Sequence, residues 1–242
     1  MLDIGGGQIN LRYQGGKSRI AKELSEFLTP PERRSAFVSL FCGACTVESR
    51  ITGFETMILN DKHPYLIALL RAVQAGYEPP GVVTEEEYQF IRAHKDLFPA
   101  LAGFAGFACS FGGKWFGGYA RDAAGCNYAD VGRKSLLKTM ANLENARFTN
   151  LDYRDVPIPS GSVIYADPPY ADTTGYSRET FDSSAFWDYA RSLAKNGHRV
   201  FVSEQKAPEG WVSVWESPLK RQLDRNKQNI FTVTEKLYVY NE

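Results

Sequence analysis

The run Gly161-Ser162-Val163-Ile164-Tyr165-Ala166 stops at Asp167-Pro168-Pro169-Tyr170, and this junction constrains the fold more than any other segment of the chain. An uninterrupted apolar strand needs cover on both faces, as in a parallel sheet flanked by helices. Proline fixes φ and has no N–H to donate, so strand pairing cannot run on through residues 168 and 169. The tetrapeptide is therefore delivered at the C-terminal end of a buried strand, where open α/β sheets hold their ligands. Comparable short runs occur at Ala36 to Phe41, Met57 to Leu59, Phe148 to Tyr153 and Val200 to Glu204. Trp211 to Trp215 and Phe231 to Tyr240 read as further strands, the last closing the sheet in an antiparallel hairpin.

The fold expected is thus α/β, a mostly parallel sheet with a C-terminal antiparallel hairpin, plus a small and largely helical insertion. Strand and helix signals alternate from residue 35 to 75, lose regularity between 76 and 147, and then resume. Residues 1–75 and 148–242 form one expected domain and residues 76–147 the insertion. Within the insertion, helices are expected near Thr84 to His94 and Phe98 to Ala108, followed by a glycine- and aromatic-rich stretch from Phe111 to Asn127. A chain of 242 residues can bury one large core and carry such an insertion. Later, Ser183 or Ser184 is positioned to cap a helix from Ala185 to Lys195, which Gly197 ends. The aperiodic stretch Ala171 to Thr180 reads as a mobile loop over the strand end.

Other strand ends carry residues suited to a ligand. Near the N-terminus, Tyr13-Gln14-Gly15-Gly16-Lys17 precedes a helix whose apolar positions Ile20, Ala21, Leu24, Phe27 and Leu28 recur at helical spacing. Paired glycines let backbone N–H groups approach an anion at such a helix start. After Ala36 to Leu40 comes a turn of small residues, Phe41-Cys42-Gly43-Ala44-Cys45-Thr46, and then a short helix through Ile51. Met57 to Leu59 ends in Asn60-Asp61, and an acid ending the second strand of a nucleotide-binding fold can accept hydrogen bonds from both ribose hydroxyls. Asp61 can equally cap the helix from His63 to Gln74. Asp152 and Tyr153 follow another strand and read either as ligand contacts or as an exposed acid and a core tyrosine.

Net charge is zero, with 28 basic and 28 acidic residues, which argues against coating nucleic acid through bulk charge. Locally, Lys114, Arg121, Arg133, Lys134 and Lys138 are interleaved with Trp115, Phe116, Tyr119, Asn127 and Tyr128, the mixture that phosphate contact and base readout require. Lys220, Arg221, Arg225 and Lys227 form a second basic cluster. Cys42 and Cys45 have the spacing of metal and redox sites, but Cys109 and Cys126 supply no second matching pair, and small side chains suffice in that turn. No metal is expected. No apolar run reaches the roughly 20 residues of a membrane helix, and Asp3 with its following glycines does not resemble a secretion signal, so a cytoplasmic protein is expected.

Asp-Pro-Pro-Tyr at a strand end resembles the catalytic motif of S-adenosylmethionine-dependent amino-methyltransferases, and its Asp version is most similar to the adenine-N6 group. Tyr-x-Gly-Gly-Lys at the chain start resembles the methionine-binding element of Dam-type (D12 class) adenine methyltransferases. Their Phe-x-Gly-x-Gly loop is matched at Phe41 and Gly43, with Cys45 where a second glycine is expected. The segments also follow the Dam-type order, cofactor elements first, then a recognition insertion, then the catalytic motif. The resemblance implies a Rossmann-like sheet and S-adenosyl-L-methionine as cofactor, held by Tyr13, Gly15, Gly16, Lys17, Phe41, Gly43, Asp61, Asp152, Tyr153 and Asp167. It implies a catalytic set of Asp167, Pro168, Pro169 and Tyr170. The substrate implied is a flipped adenine in double-stranded DNA, contacted by Lys114, Trp115, Arg121, Asn127, Tyr128, Arg133, Lys134 and Lys138. A monomer or weak dimer, bacterial or phage-encoded, is the implied form. Methylation of RNA or of cytosine N4, and a DNA-binding regulator without turnover, are the alternatives.

Overall fold

A computed structural model of the protein describes residues 13, 16–32, 34–121, 123, 125–169, 181–222 and 230–241, with backbone alone at 219–222, 230 and 231. Among the described residues seven strands form one sheet: β1 (Arg34–Ser39), β2 (Phe54–Asn60), β3 (Ala146–Thr149), β4 (Val163–Ala166), β5 (Arg199–Glu204), β6 (Trp211–Gln222) and β7 (Ile230–Tyr240). Their order is β3-β2-β1-β4-β5-β7-β6. The first five run parallel, and β7 runs antiparallel to both β5 and β6. The expected mostly parallel sheet with a C-terminal antiparallel pair is therefore present. Strand order reverses between β1 and β4, the switch point at whose C-terminal strand ends open α/β sheets hold ligands.

Alternate strand residues face opposite cores. Phe37, Leu59, Val163, Tyr165 and Phe201 face the side carrying α1 (Ala21–Leu28), α2 (Pro64–Gln74), α3 (Glu85–Ala93), α4 (Pro99–Ala108) and α5 (Tyr128–Met140). Val38, Ile58, Ile164, Ala166, Val200 and Val202 face α6 (Ser183–Lys195), which presents Phe186, Trp187, Ala190 and Leu193 at helical spacing. Each large side chain buried in this way contributes roughly 1.5–3 kcal/mol.

Two local expectations are corrected. The cap of α6 is Asp182, whose Oδ1 accepts the Ala185 N–H at 3.0 Å, because residue 182 holds the extended backbone a cap needs while both serines already lie in the helix. The short helix after β1 is a 3-10 turn over Glu48–Arg50.

Residues 76–147 supply α3, α4 and α5, which share a core with α2. Thr84 and Glu87 form a reciprocal capping box at the start of α3. Helix α5 had no counterpart in the sequence reading, because its buried face mixes Ala129, Gly132, Ser135 and Thr139 with only Leu136 and Met140 as large apolar residues. Helix α4 is buried on nearly every side from Ala102 to Ala108. At Gly103 a Cβ would lie 2.1 Å from the Tyr65 carbonyl oxygen, so α2 and α4 meet backbone to backbone. Gly103→Ala must push them apart and is expected to destabilise the fold by about 1–3 kcal/mol. Urea unfolding with a lowered midpoint and unchanged slope is the expected result. An unchanged midpoint would show that the two helices separate freely.

Candidate active site

The loop after β1 is shaped by its backbone. Gly43 has φ +49°, and a Cβ there would sit 3.1 Å from the ring of Tyr13. Cys45 occupies the position where a second glycine was expected, yet its φ is 55°, the left-handed conformation that glycine adopts freely. A buried side chain held in that region stores a cost of order 1–3 kcal/mol, so the surrounding packing keeps the loop shape despite the missing glycine. The Cys42 and Cys45 thiols are free and buried, and burial pushes both upward in pKa. Among the described residues no group of three or more His, Cys, Asp or Glu side chains converges as metal ligands would.

Asp61, at the end of β2, ties this loop to the start of α2. Its Oδ2 accepts the Gly43 N–H at 3.0 Å and its Oδ1 the His63 N–H at 2.8 Å. Burial raises its pKa, and these two hydrogen bonds oppose the rise. The cap of α2 is His63, not Asp61: its Nδ1 accepts the Leu66 N–H at 3.3 Å, and Pro64 follows at the first helical position. Burial lowers His63 to about 4, which keeps the imidazole neutral and its Nδ1 lone pair available.

Asn60, to which no role had been assigned, joins three strand ends. Its amide donates to the Leu40 and Leu151 carbonyls, and its Oδ1 accepts from the Leu151 N–H and the Thr149 hydroxyl. A buried amide with donors and acceptor all engaged fixes the mutual spacing of the loops after β1, β2 and β3.

Asp167 lies where the sequence placed it, directly after β4, with its side chain 22 % exposed. Its Oδ1 is 2.8 Å from the Nζ of Lys17, and the same Nζ is 2.8 Å from Oε1 of Glu235 on β7. Lys17 and Glu235 are both buried. Lys17 is thus brought to Asp167 itself. Glu235 was missed, although it shares the inward parity of Leu237 on the alternating strand β7, where an acid is out of place. Tyr170 and Gly15 lie outside the described residues, as does the loop expected over 171–180.

Two further acids border this charge cluster. Glu48 accepts a hydrogen bond from Ser39 at 2.7 Å, and burial pushes its carboxyl from 4.5 to about 7. Burial, then Glu235 and Asp167, likewise raise the partly exposed Glu204 at the end of β5 to about 7. The raised native value means that Glu48 favours folding fully below about pH 4.5 and loses that contribution as pH climbs to about 7. Glu48→Gln keeps the acceptor for Ser39 and removes the ionisation. The gain in thermal midpoint over the unmodified protein is therefore expected to grow between about pH 5 and about pH 8. A difference that stays constant over that range would remove Glu48 as the source.

At the third strand end, Tyr153 packs 5.5 Å from Phe41 between ring centroids, with Phe181 and Phe186 completing the cluster. Asp152 pairs with Arg154 and Lys62, and its hydrogen bond to Arg154 holds its carboxyl below the usual range. In the insertion, Trp115 is packed against His63, Tyr65, Phe107 and Phe116. Asn127 caps α5 and donates to the Gly81 carbonyl. Arg121 pairs with Glu85, Arg133 with Glu78 and Lys134 with Asp130. Lys114 and Lys138 are exposed and Tyr128 is half-buried.

The strand order, with its switch point between β1 and β4 and its C-terminal antiparallel pair, is that of a doubly wound α/β sheet. Residues 13–96 match the family model described as D12 class N6 adenine-specific DNA methyltransferase. No curated protein matches the chain. Among solved structures, the putative methyltransferase yhhF from Escherichia coli is similar at 13% identity and TM-score 0.37, over 98% of this chain and 96% of its own. The rRNA methyltransferase aviRa from Streptomyces viridochromogenes is similar at 13% identity and TM-score 0.43, over 94% and 86%. Among the described residues no helix is long and apolar enough to cross a membrane.

Proposed function

We propose that the protein transfers a methyl group from S-adenosylmethionine to the N6 amine of an adenine flipped out of double-stranded DNA. The observation that carries this reading is Asp167, partly exposed at the switch-point end of β4, followed by two prolines and anchored by a buried lysine. The family matched by residues 13–96 supports the choice of adenine and DNA.

The residues fit the cofactor's parts. Gly43 and the left-handed backbone at Cys45 make a loop that a nucleoside can approach, and Asp61 beside it offers a carboxylate for ribose hydroxyls. Phe41 and Tyr153 present aromatic surface for an adenine ring. Lys17 and Gly16 would face its charged aminoacyl end. When bound, S-adenosylmethionine supplies a methyl group activated by its sulfonium, so that the N–C bond forms as the S–C bond breaks and the amine proton is released.

Asp167 and the Pro168 carbonyl accept the amine's two N–H bonds. That directs the nitrogen lone pair, otherwise delocalised into the ring, toward the donor, and stabilises the positive charge that develops. Tyr170 would stack on the flipped base, whose extrusion costs a few kcal/mol. Exposed Lys114 and Lys138, with Arg121, Arg133 and Lys134 able to exchange their carboxylate partners for phosphates, would hold the duplex.

Transfer of labelled methyl from S-adenosylmethionine to unmethylated duplex DNA, with RNA in parallel and nucleoside mass spectrometry of the product, tests the reading. N6-methyladenine in DNA is expected; label in RNA, in cytosine or nowhere overturns it. Asp61→Ala is expected to weaken S-adenosylhomocysteine binding by about tenfold or more, the worth of a hydrogen bond to a charged group. Calorimetry showing unchanged affinity would remove Asp61 from the cofactor site.

A further inference from the structure

We propose that Glu235 is a positioning residue for Asp167, acting through Lys17. This rests on the reading of Asp167 as the amine acceptor. One ammonium lies between two carboxylates at 2.8 Å each, and the three groups come from the N-terminal segment, the end of β4 and strand β7. Glu235 has no exposed surface and cannot touch a substrate, whereas the Asp167 side chain is 22 % exposed at the C-terminal end of β4.

Lysine is a compact charge on a flexible stem with three donors. Held by Asp167 alone, it would follow that carboxylate and compete with the amine for the same lone pairs. Glu235 draws the ammonium from behind and fixes its place, so Asp167 keeps acceptor capacity and much of its negative charge. The other titratable groups acting on Asp167 are Glu48 in the turn after β1, Glu204 at the end of β5 and Tyr165 on β4. These groups add negative charge when ionised, which the Lys17 ammonium offsets.

Glu235→Gln keeps an acceptor for Lys17 and removes the charge. With the full pull of Lys17 on Asp167 and one fewer neighbouring anion, the Asp167 carboxyl should lose its proton more readily. Carboxyl carbon NMR titration of the full chain, with the Asp167 signal assigned by its loss in Asp167→Asn, is expected to show the midpoint falling by about half a pH unit or more. Glu235→Asp, which keeps the charge one methylene further back, is expected to give an intermediate midpoint. Midpoints equal to the unmodified protein in both variants overturn the proposal.

Activity provides an independent arm. Glu235→Gln is expected to lower kcat about tenfold with cofactor KM within about twofold, and to move the acid limb of the kcat profile to lower pH. A purely structural Glu235 would lower thermal stability and leave that limb where it was, which also overturns the proposal. If the unmodified protein fails to methylate DNA, the functional reading falls, while the carboxyl titration still decides the role of Glu235.

Discussion

Asp167→Ala is expected to lower kcat for methyl transfer by about a thousandfold or more, because the group that localises the amine lone pair and faces the developing charge is lost. The affinity for S-adenosylhomocysteine is expected to stay within about threefold, since a group acting in the transition state contributes little to ground-state binding. The fold should survive. Lys17 remains paired with Glu235 in the variant, and Asp167 is exposed enough that its removal uncovers no buried partner without compensation. Single-turnover transfer of labelled methyl together with calorimetry separates these quantities. Turnover within tenfold of the unmodified protein would remove Asp167 from the chemistry.

Lys17→Met is expected to have the largest effect on stability. It removes the Lys17 ammonium from the fully buried carboxylate of Glu235. Removing one partner of a buried ion pair typically costs about 3–5 kcal/mol. For a protein of this size that is roughly a 10 °C drop in thermal midpoint. The double variant Lys17→Met with Glu235→Leu removes both charges and is expected to recover most of the loss, because an apolar pair of similar volume is about as stable as the ion pair it replaces. A thermal midpoint for Lys17→Met within about 2 °C of the unmodified protein would show that water reaches Glu235, contrary to its burial. The two substitutions therefore dissect one cluster: Asp167→Ala tests the proposed chemistry, and Lys17→Met tests what the buried Lys17–Glu235 pair contributes to the fold.

Much of this arrangement was legible in the sequence because it is written in local pattern. The apolar run ending at Asp167 predicts a buried strand, and proline chemistry predicts where it stops. Helices expected near Thr84 to His94 and Phe98 to Ala108 match α3 and α4, and the small-residue turn after Phe41 predicts the loop. Helix α5 escaped because its buried face is made of small and polar residues, which carry no apolar period. Asp61 was legible as an acid at a strand end, but its hydrogen bonds to Gly43 and His63 depend on how two separate loops approach each other.

The sequence by itself thus determined the class of sheet, the strand ends that meet at the switch point and the acid beside it, since each follows from backbone chemistry and periodicity within a few residues. Only the tertiary structure decided that Lys17, Asp167 and Glu235 share one buried charge cluster, and that Asn60 binds three loops together. Those contacts join segments far apart in the chain, and their existence depends on strand order and on which face each strand turns inward. Neither property is carried by any short stretch of residues. Burial supplies the physical reason they matter: an ammonium between two carboxylates is worth little in water, and in the interior it fixes where each group must sit.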